Sequence, residues 1–196
     1  MTEPLASNSL PFRIRFGILL TLAVSFVPVV VISAEKPRLQ SEGGVVFRKP
    51  FTLKLHVDKS HYYEQDFNNV PYVKQGELYL FKGDAFGINL HVTNGVLRGI
   101  SYQADLRKAA VSFRFKEEVD GHEETMMVLM IDNHTRNKLF VDGFMTLPKG
   151  GNPQETSILP LGPGVSGYKT WPHAIVQLVL RNLRFTIDAK AEPAAR

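Results

Sequence analysis

The 196-residue sequence predicts an all-β protein, an antiparallel β-sandwich preceded by an N-terminal hydrophobic helix that acts as a signal or an anchor. Three observations carry this reading. Apolar and polar residues alternate in several short runs, hairpin dipeptides separate those runs, and the long uncharged stretch lies apart from them at residues 16–32. Composition sets the outer bounds. With 44% apolar and 21% charged residues the chain is neither a disordered tail nor a polytopic membrane protein, and its length suits one domain rather than a multidomain enzyme. A net charge of +4 without a basic run gives no track for a phosphate backbone, so nucleic acid is not an expected partner. The absence of cysteine excludes disulfides, thiolate metal sites, thiol nucleophiles and a lipid-modified N-terminal Cys.

Residues 16–32 follow Arg13 and Arg15 and precede Ser33, Ala34, Glu35 and Lys36. That order is n-region, h-region and a small residue before a cleavage point after Ala34, so residues 1–34 are expected to direct export. The stretch is longer than an ordinary h-region and also reaches the lower limit for a spanning helix, with Pro28 inside it, so a retained tether is the alternative. Both readings leave the arginines on the cytoplasmic side and carry the rest across. The expected location is therefore periplasmic or secreted, or else inner-membrane anchored with the domain outside the cytoplasm. Residues 35–44 read as a flexible lead, 45–188 as the sandwich and 189–196 as a disordered tail.

Along the domain, Val45, Phe47, Phe51, Leu53, Leu55 and Val57 begin the alternation, and Thr52, Lys54, His56 and Asp58 fall between the later ones. Residues 62–73 mix aromatic and polar side chains irregularly and read as a connecting loop. Alternation returns at Phe86, Ile88, Leu90 and Val92, where Asn94-Gly95 marks a turn. A two-residue loop would set Leu90 against Gly99. A three-residue loop, residues 94–96, pairs Leu90 with Ile100 and Ile88 with Tyr102, the register of a turn closed by a bulge.

Val111, Phe113 and Phe115 lead to Asp120-Gly121. A two-residue loop there pairs Phe115 with Met126, Phe113 with Val128 and Val111 with Met130, which lays one apolar face on one sheet surface. Residues 126–131 are continuously apolar, as in a central strand covered on both sides. Leu139, Val141, Met145 and Leu147 give the next strand. Residues 147–172 hold five Gly and five Pro and read as a long connection with a short strand at 156–159. Residues 174–187 read as a strand, although Ile175, Leu178, Val179 and Leu183 are also spaced as on a helix. The pattern of many short strands resembles immunoglobulin-like sandwiches in architecture, a resemblance that implies no function.

Ser166 lacks the G-x-S-x-G context of a nucleophile elbow, and His122-Glu123-Glu124-Thr125-Met126 has methionine where a zinc peptidase needs its second histidine. No cofactor is expected. His122, Met126, Met130 and His134, with Met127 among them, form a set whose thioether and imidazole ligands would suit copper. The same methionines equally fill core gaps. His56 and His91 fall on polar faces and are expected to be solvated. Glu117, Glu118, Glu123 and Glu124 read as an acidic hairpin tip, since adjacent strand residues point to opposite faces and cannot converge on one bond. Asn133-His134-Thr135 reads equally as a glycosylation sequon or an Asn/Thr turn.

The binding candidate is Tyr168, Trp171 and His173, aromatic residues on the Gly/Pro-rich connection that includes the sole tryptophan. Equally, Trp171 could plug one end of the core. The expected function is a non-enzymatic binding or assembly module whose partners are other envelope or extracytoplasmic proteins, with residues 16–32 as a possible membrane tether. The alternatives are a copper or small-ligand carrier using the His/Met set, and a hydrolase whose site is assembled from distant residues.

Overall fold

A computed structural model describes residues 44–94, 96–119 and 124–186. The expected signal or anchor at 1–34, the tail at 189–196 and His122 lie outside the described residues. Within them the chain is all β, and no helix is long and apolar enough to cross a membrane.

Twelve strands follow in order: β1 (Phe51–Asp58), β2 (His61–Phe67), β3 (Val73–Lys74), β4 (Glu77–Leu80), β5 (Asp84–Thr93), β6 (Val96–Gln103), β7 (Val111–Val119), β8 (Thr125–Asn133), β9 (Lys138–Thr146), β10 (Gln154–Thr156), β11 (Ser166–Trp171) and β12 (Gln177–Thr186). They form two five-stranded antiparallel sheets, ordered β11-β8-β7-β5-β6 and β10-β9-β12-β4-β3, and a separate ribbon of β1 with β2. Alternation supplies the core. Phe86, Ile88, Phe113, Phe115, Met127, Leu129 and Ile131 from the first sheet meet Leu78, Leu80, Leu139, Val141, Leu178 and Leu180 from the second, and β1 adds Leu53 and Leu55. Burial of these side chains, at roughly 25 cal/mol per Å² of apolar surface, is the main favourable contribution to folding.

The β5/β6 register beyond the turn is as expected, Leu90 pairing with Ile100 and Ile88 with Tyr102, but it is reached through a two-residue loop rather than the expected loop of residues 94–96. The extra residue is absorbed between His91 and Val92, which oppose Gly99 and Leu97 and leave Arg98 as the bulge, while Thr93 pairs with Val96 beyond it. Asn94 takes the left-handed conformation that the turn requires (φ 51°). The C-terminal segment is a strand, not a helix.

Three expectations are corrected. First, β7 and β8 pair three residues out of the expected register, with Phe115 opposite Leu129, Phe113 opposite Ile131 and Val111 opposite Asn133. The reason is electrostatic as well as apolar. The two-residue turn would have set Glu117 against Glu124 and Glu118 against Glu123, whereas the observed register sets them against Met127 and Met126. Second, residues 61–67 are strand β2 rather than loop, paired along β1 from Phe51↔Phe67 to Asp58↔His61. Third, the connection before β12 contains a full strand, β11, and its short strand is Gln154–Thr156 rather than 156–159.

One buried charge ties the two sheets together. Arg48, 7% exposed, donates from Nε and Nη2 to the Asp84 carboxylate at the start of β5, and from Nη1 and Nη2 to the carbonyls of Pro71 and Tyr79, the latter in β4. Its guanidinium lies 3.9 Å from the Tyr72 ring centroid. Arg48→Ala would leave Asp84 and two carbonyls without these donors. Breaking one side of a buried pair costs about 3–5 kcal/mol. We expect a loss of that size in equilibrium urea denaturation, with an unchanged m-value.

Candidate functional site

The first candidate surface is the outer face of β8 and its edge neighbour β11. Because side chains alternate along a strand, Met127, Leu129 and Ile131 point into the inter-sheet core and Met126, Val128 and Met130 point away from it. The shift in the β7/β8 register thus places Met127 in the core position expected for Met126 and Met130. Tyr168 of β11 stands directly opposite Met130, and Thr170 opposite Val128. Tyr168 is 80% exposed. On the other side of Met130, Arg114 of β7 pairs with Asp132 at 2.7 Å, and Ser112 Oγ donates to the same carboxylate. Burial works to raise the Asp132 pKa, but hydrogen bonds from Ser166, Ser112 and Arg114 outweigh it and hold the carboxyl below its ordinary value. The Ser166 hydroxyl is therefore bonded to a carboxylate, which is not the imidazole arrangement of a serine hydrolase.

Trp171, His173 and His134, further described members of the two predicted sets, take different environments. Trp171 is 4% exposed at the end of β11, where its indole N–H donates to Thr156 Oγ1 at 2.8 Å and its ring meets Phe115 edge-on. It is a core residue on a strand, not an exposed aromatic on a loop. His173 lies half-buried between β11 and β12. His134 is exposed beyond the end of β8, its backbone N–H bonded to the Ala110 carbonyl. Asn133 is 1% exposed and donates through Nδ2 to the carbonyls of Asn137 and Gly162, while its Oδ1 accepts from Thr135. Of the two readings of Asn133-His134-Thr135, the turn is the one present, since an amide held inside the fold is closed to glycosylation.

A second site was not legible in the sequence. Among the described residues no strand lies beside the edge of β1 that faces away from β2, and side chains satisfy its backbone instead. Lys82 Nζ donates to the Lys54 carbonyl, Glu117 Oε1 accepts from His56 N–H at 2.8 Å, and Thr125 Oγ1 donates to the His56 carbonyl at 2.7 Å. Glu117 Oε2 also pairs with Lys82, and its side chain is 4% exposed. The expected solvated glutamate and solvated histidine are both buried, and His56 retains only 7% exposure.

The imidazole is oriented by the same threonine. Thr125 Oγ1 spends its single proton on the His56 carbonyl, so at 3.0 Å from His56 Nδ1 it can only accept. Neutral His56 is thereby fixed as the Nδ1–H tautomer, and Nε2 carries a lone pair. The ring packs at 72° to Tyr62, with centroids 4.9 Å apart. His56, Tyr62, Lys82 and Glu117, with Lys54, Leu55 and Val119, surround an open pocket of about 360 Å³. Among the described residues no group of three or more His, Asp or Glu is placed to hold a metal ion.

No protein-family model matches the chain, and neither a curated protein nor a solved structure shows significant similarity to it.

Thr125→Val tests the tautomer lock. It removes the acceptor for Nδ1–H and the donor to the His56 carbonyl, a loss of about 1–3 kcal/mol for buried groups left unpaired. Imidazole ¹⁵N spectra should show the Nδ1–H form in the parent protein and a mixture of tautomers in the variant. A single unchanged tautomer in both would show that Thr125 does not set it.

Proposed function

We propose that the chain is an exported, non-enzymatic β-sandwich of immunoglobulin-like architecture that binds a partner protein on the extracytoplasmic side of the membrane, with β11 as the contact strand. The observation that carries this reading is Tyr168, which is 80% exposed in the middle of a six-residue strand at the end of its sheet order. An edge strand with one unpaired side is a template for an extended segment of another chain. The outward row Tyr168, Met130 and Met126 would offer apolar contacts beside it, and tyrosine supplies much area for little lost rotamer entropy. Export is supported by the sequence order of Arg13, Arg15 and the uncharged residues 16–32, which would act as a cleaved signal or as a tether.

Export is tested by protease treatment of intact spheroplasts from the producing cells. The domain should be digested while a cytoplasmic marker survives, and protection of the domain would reject the assignment. The contact is tested by placing a photocrosslinking residue at position 168 or, as a control on the opposite edge strand, at Val96. A discrete adduct is expected from 168 and not from 96, and Tyr168→Ala should weaken the complex by about 2 kcal/mol, roughly thirtyfold. Equal labelling from both positions would reject β11 as the contact.

A further inference from the structure

The pocket between β1 and the β7 end of the first sheet has properties that constrain a ligand closely, independently of the β11 contact. Its floor offers one hydrogen-bond acceptor, His56 Nε2. His56 is more than nine-tenths buried, Nδ1 is taken by Thr125, and among the described residues no hydrogen bond engages Nε2. The floor also offers one donor. An ammonium has three N–H groups, and Lys82 uses two of them on the Lys54 carbonyl and Glu117. Both Glu117 oxygens are already engaged. Val119, 46% exposed, gives an apolar wall, and Tyr62, 70% exposed, stands against the imidazole as an aromatic side.

Several ligand classes fail on these grounds. An anion would find no uncompensated cation among the described residues, because Lys82 is paired with Glu117 and Lys54 with Glu64 at 3.2 Å. Among the described residues a metal ion would find a single ligand nitrogen. A wholly apolar molecule would strip water from Nε2 and the third Lys82 N–H without replacing either bond. What remains is a small neutral molecule that donates one hydrogen bond, accepts another nearby and turns an apolar face to tyrosine.

We propose that this pocket binds a single sugar ring. One hydroxyl donates to His56 Nε2, a neighbouring hydroxyl accepts from Lys82, and the C–H face of the ring lies along Tyr62. Hydroxyls suit the floor because each can both donate and accept, so the pair adapts to a fixed acceptor and a fixed donor. The volume of about 360 Å³ is at the small end of the range for small-molecule pockets, which matches one ring rather than a chain of them. Thr125 acts as a positioning residue, since it keeps the lone pair on Nε2.

The test uses the full chain labelled with ¹⁵N at histidine and titrated separately with D-glucose, D-galactose, D-mannose and N-acetyl-D-glucosamine, the His56 signals being assigned by their loss in His56→Gln. A saturable shift of the His56 Nε2 resonance with at least one sugar is expected. Tyr62→Ala should weaken that binding at least tenfold and Tyr62→Phe should retain it, both with the parent urea midpoint. The proposal is overturned if none of the four sugars produces a saturable Nε2 shift. It is equally overturned if Tyr62→Ala binds as the parent does.

Discussion

The guanidinium of Arg48 is the interaction on which the arrangement of the two sheets depends. The chain crosses from β4 in one sheet to β5 in the other through only three residues, Phe81 to Gly83. Arg48 bonds to both sides of that crossing, to the Tyr79 carbonyl before it and the Asp84 carboxylate after it, and Asp84 also accepts the Phe81 N–H. A buried ion pair of this kind is weak evidence for net stability, because desolvation offsets most of its attraction. Its value here is directional. Apolar residues of similar volume could fill the space, but they would not distinguish the observed approach of residues 70–72 to β4 and β5 from a neighbouring one. Tyr72, Phe81 and Phe86 surround the guanidinium, so the charge sits within the aromatic end of the core rather than at its margin.

How far the fold could be read from the sequence depended on whether a segment had one solvated face. The β5/β6 hairpin was legible because Asn94-Gly95 fixes the turn and only one register matches the apolar residues of both strands. The β7/β8 pairing was not, because residues 126–131 are apolar on both faces and therefore tolerate two registers equally in pattern. The opposition of Glu117 with Glu124 was the signal that could have excluded the wrong one. In β12 a bulge between Arg181 and Arg184, with Asn182 at φ 51°, changes the phase of alternation, so that Leu180 and Leu183 both turn inward. That slip is why its spacing imitated a helix. Strand β2 is mostly exposed on both faces and carries no alternation to read.

The two candidate sites were legible to different degrees for the same physical reason. Tyr168 was marked from its residue type and remains exposed, while Trp171, marked beside it, is part of the core because β11 is a strand that alternates its faces. On the polar face of β1, Thr52, Lys54 and Asp58 are exposed as expected, and only His56 was wrongly taken as solvated. Polarity implies water only if no other polar group is nearer, and here Lys82, Glu117 and Thr125 take the place of water along a backbone edge. Such an arrangement joins residues 28 to 69 positions apart, a range at which local pattern carries no information.

This side-chain seam also separates the two edges by function. A strand edge left open invites another strand, and folds close such edges with charges, bulges or covering segments. On β1 the Lys54 carbonyl and both backbone groups of His56 are already bonded, so a further strand could pair there only by displacing a buried glutamate, a lysine and a threonine. The outer side of β11 has no corresponding set of contacts from another strand in its sheet. The blocked edge accordingly forms the wall of a pocket suited to a small molecule, and the open edge is the one suited to a chain. Because the seam uses Glu117 and Thr125, which stand on either side of the β7/β8 turn, the unexpected register of that hairpin is also what builds the pocket. In the shorter-turn register Thr125 would lie opposite Lys116 instead of Val119, and the alignment of both strand ends against β1 would change with it.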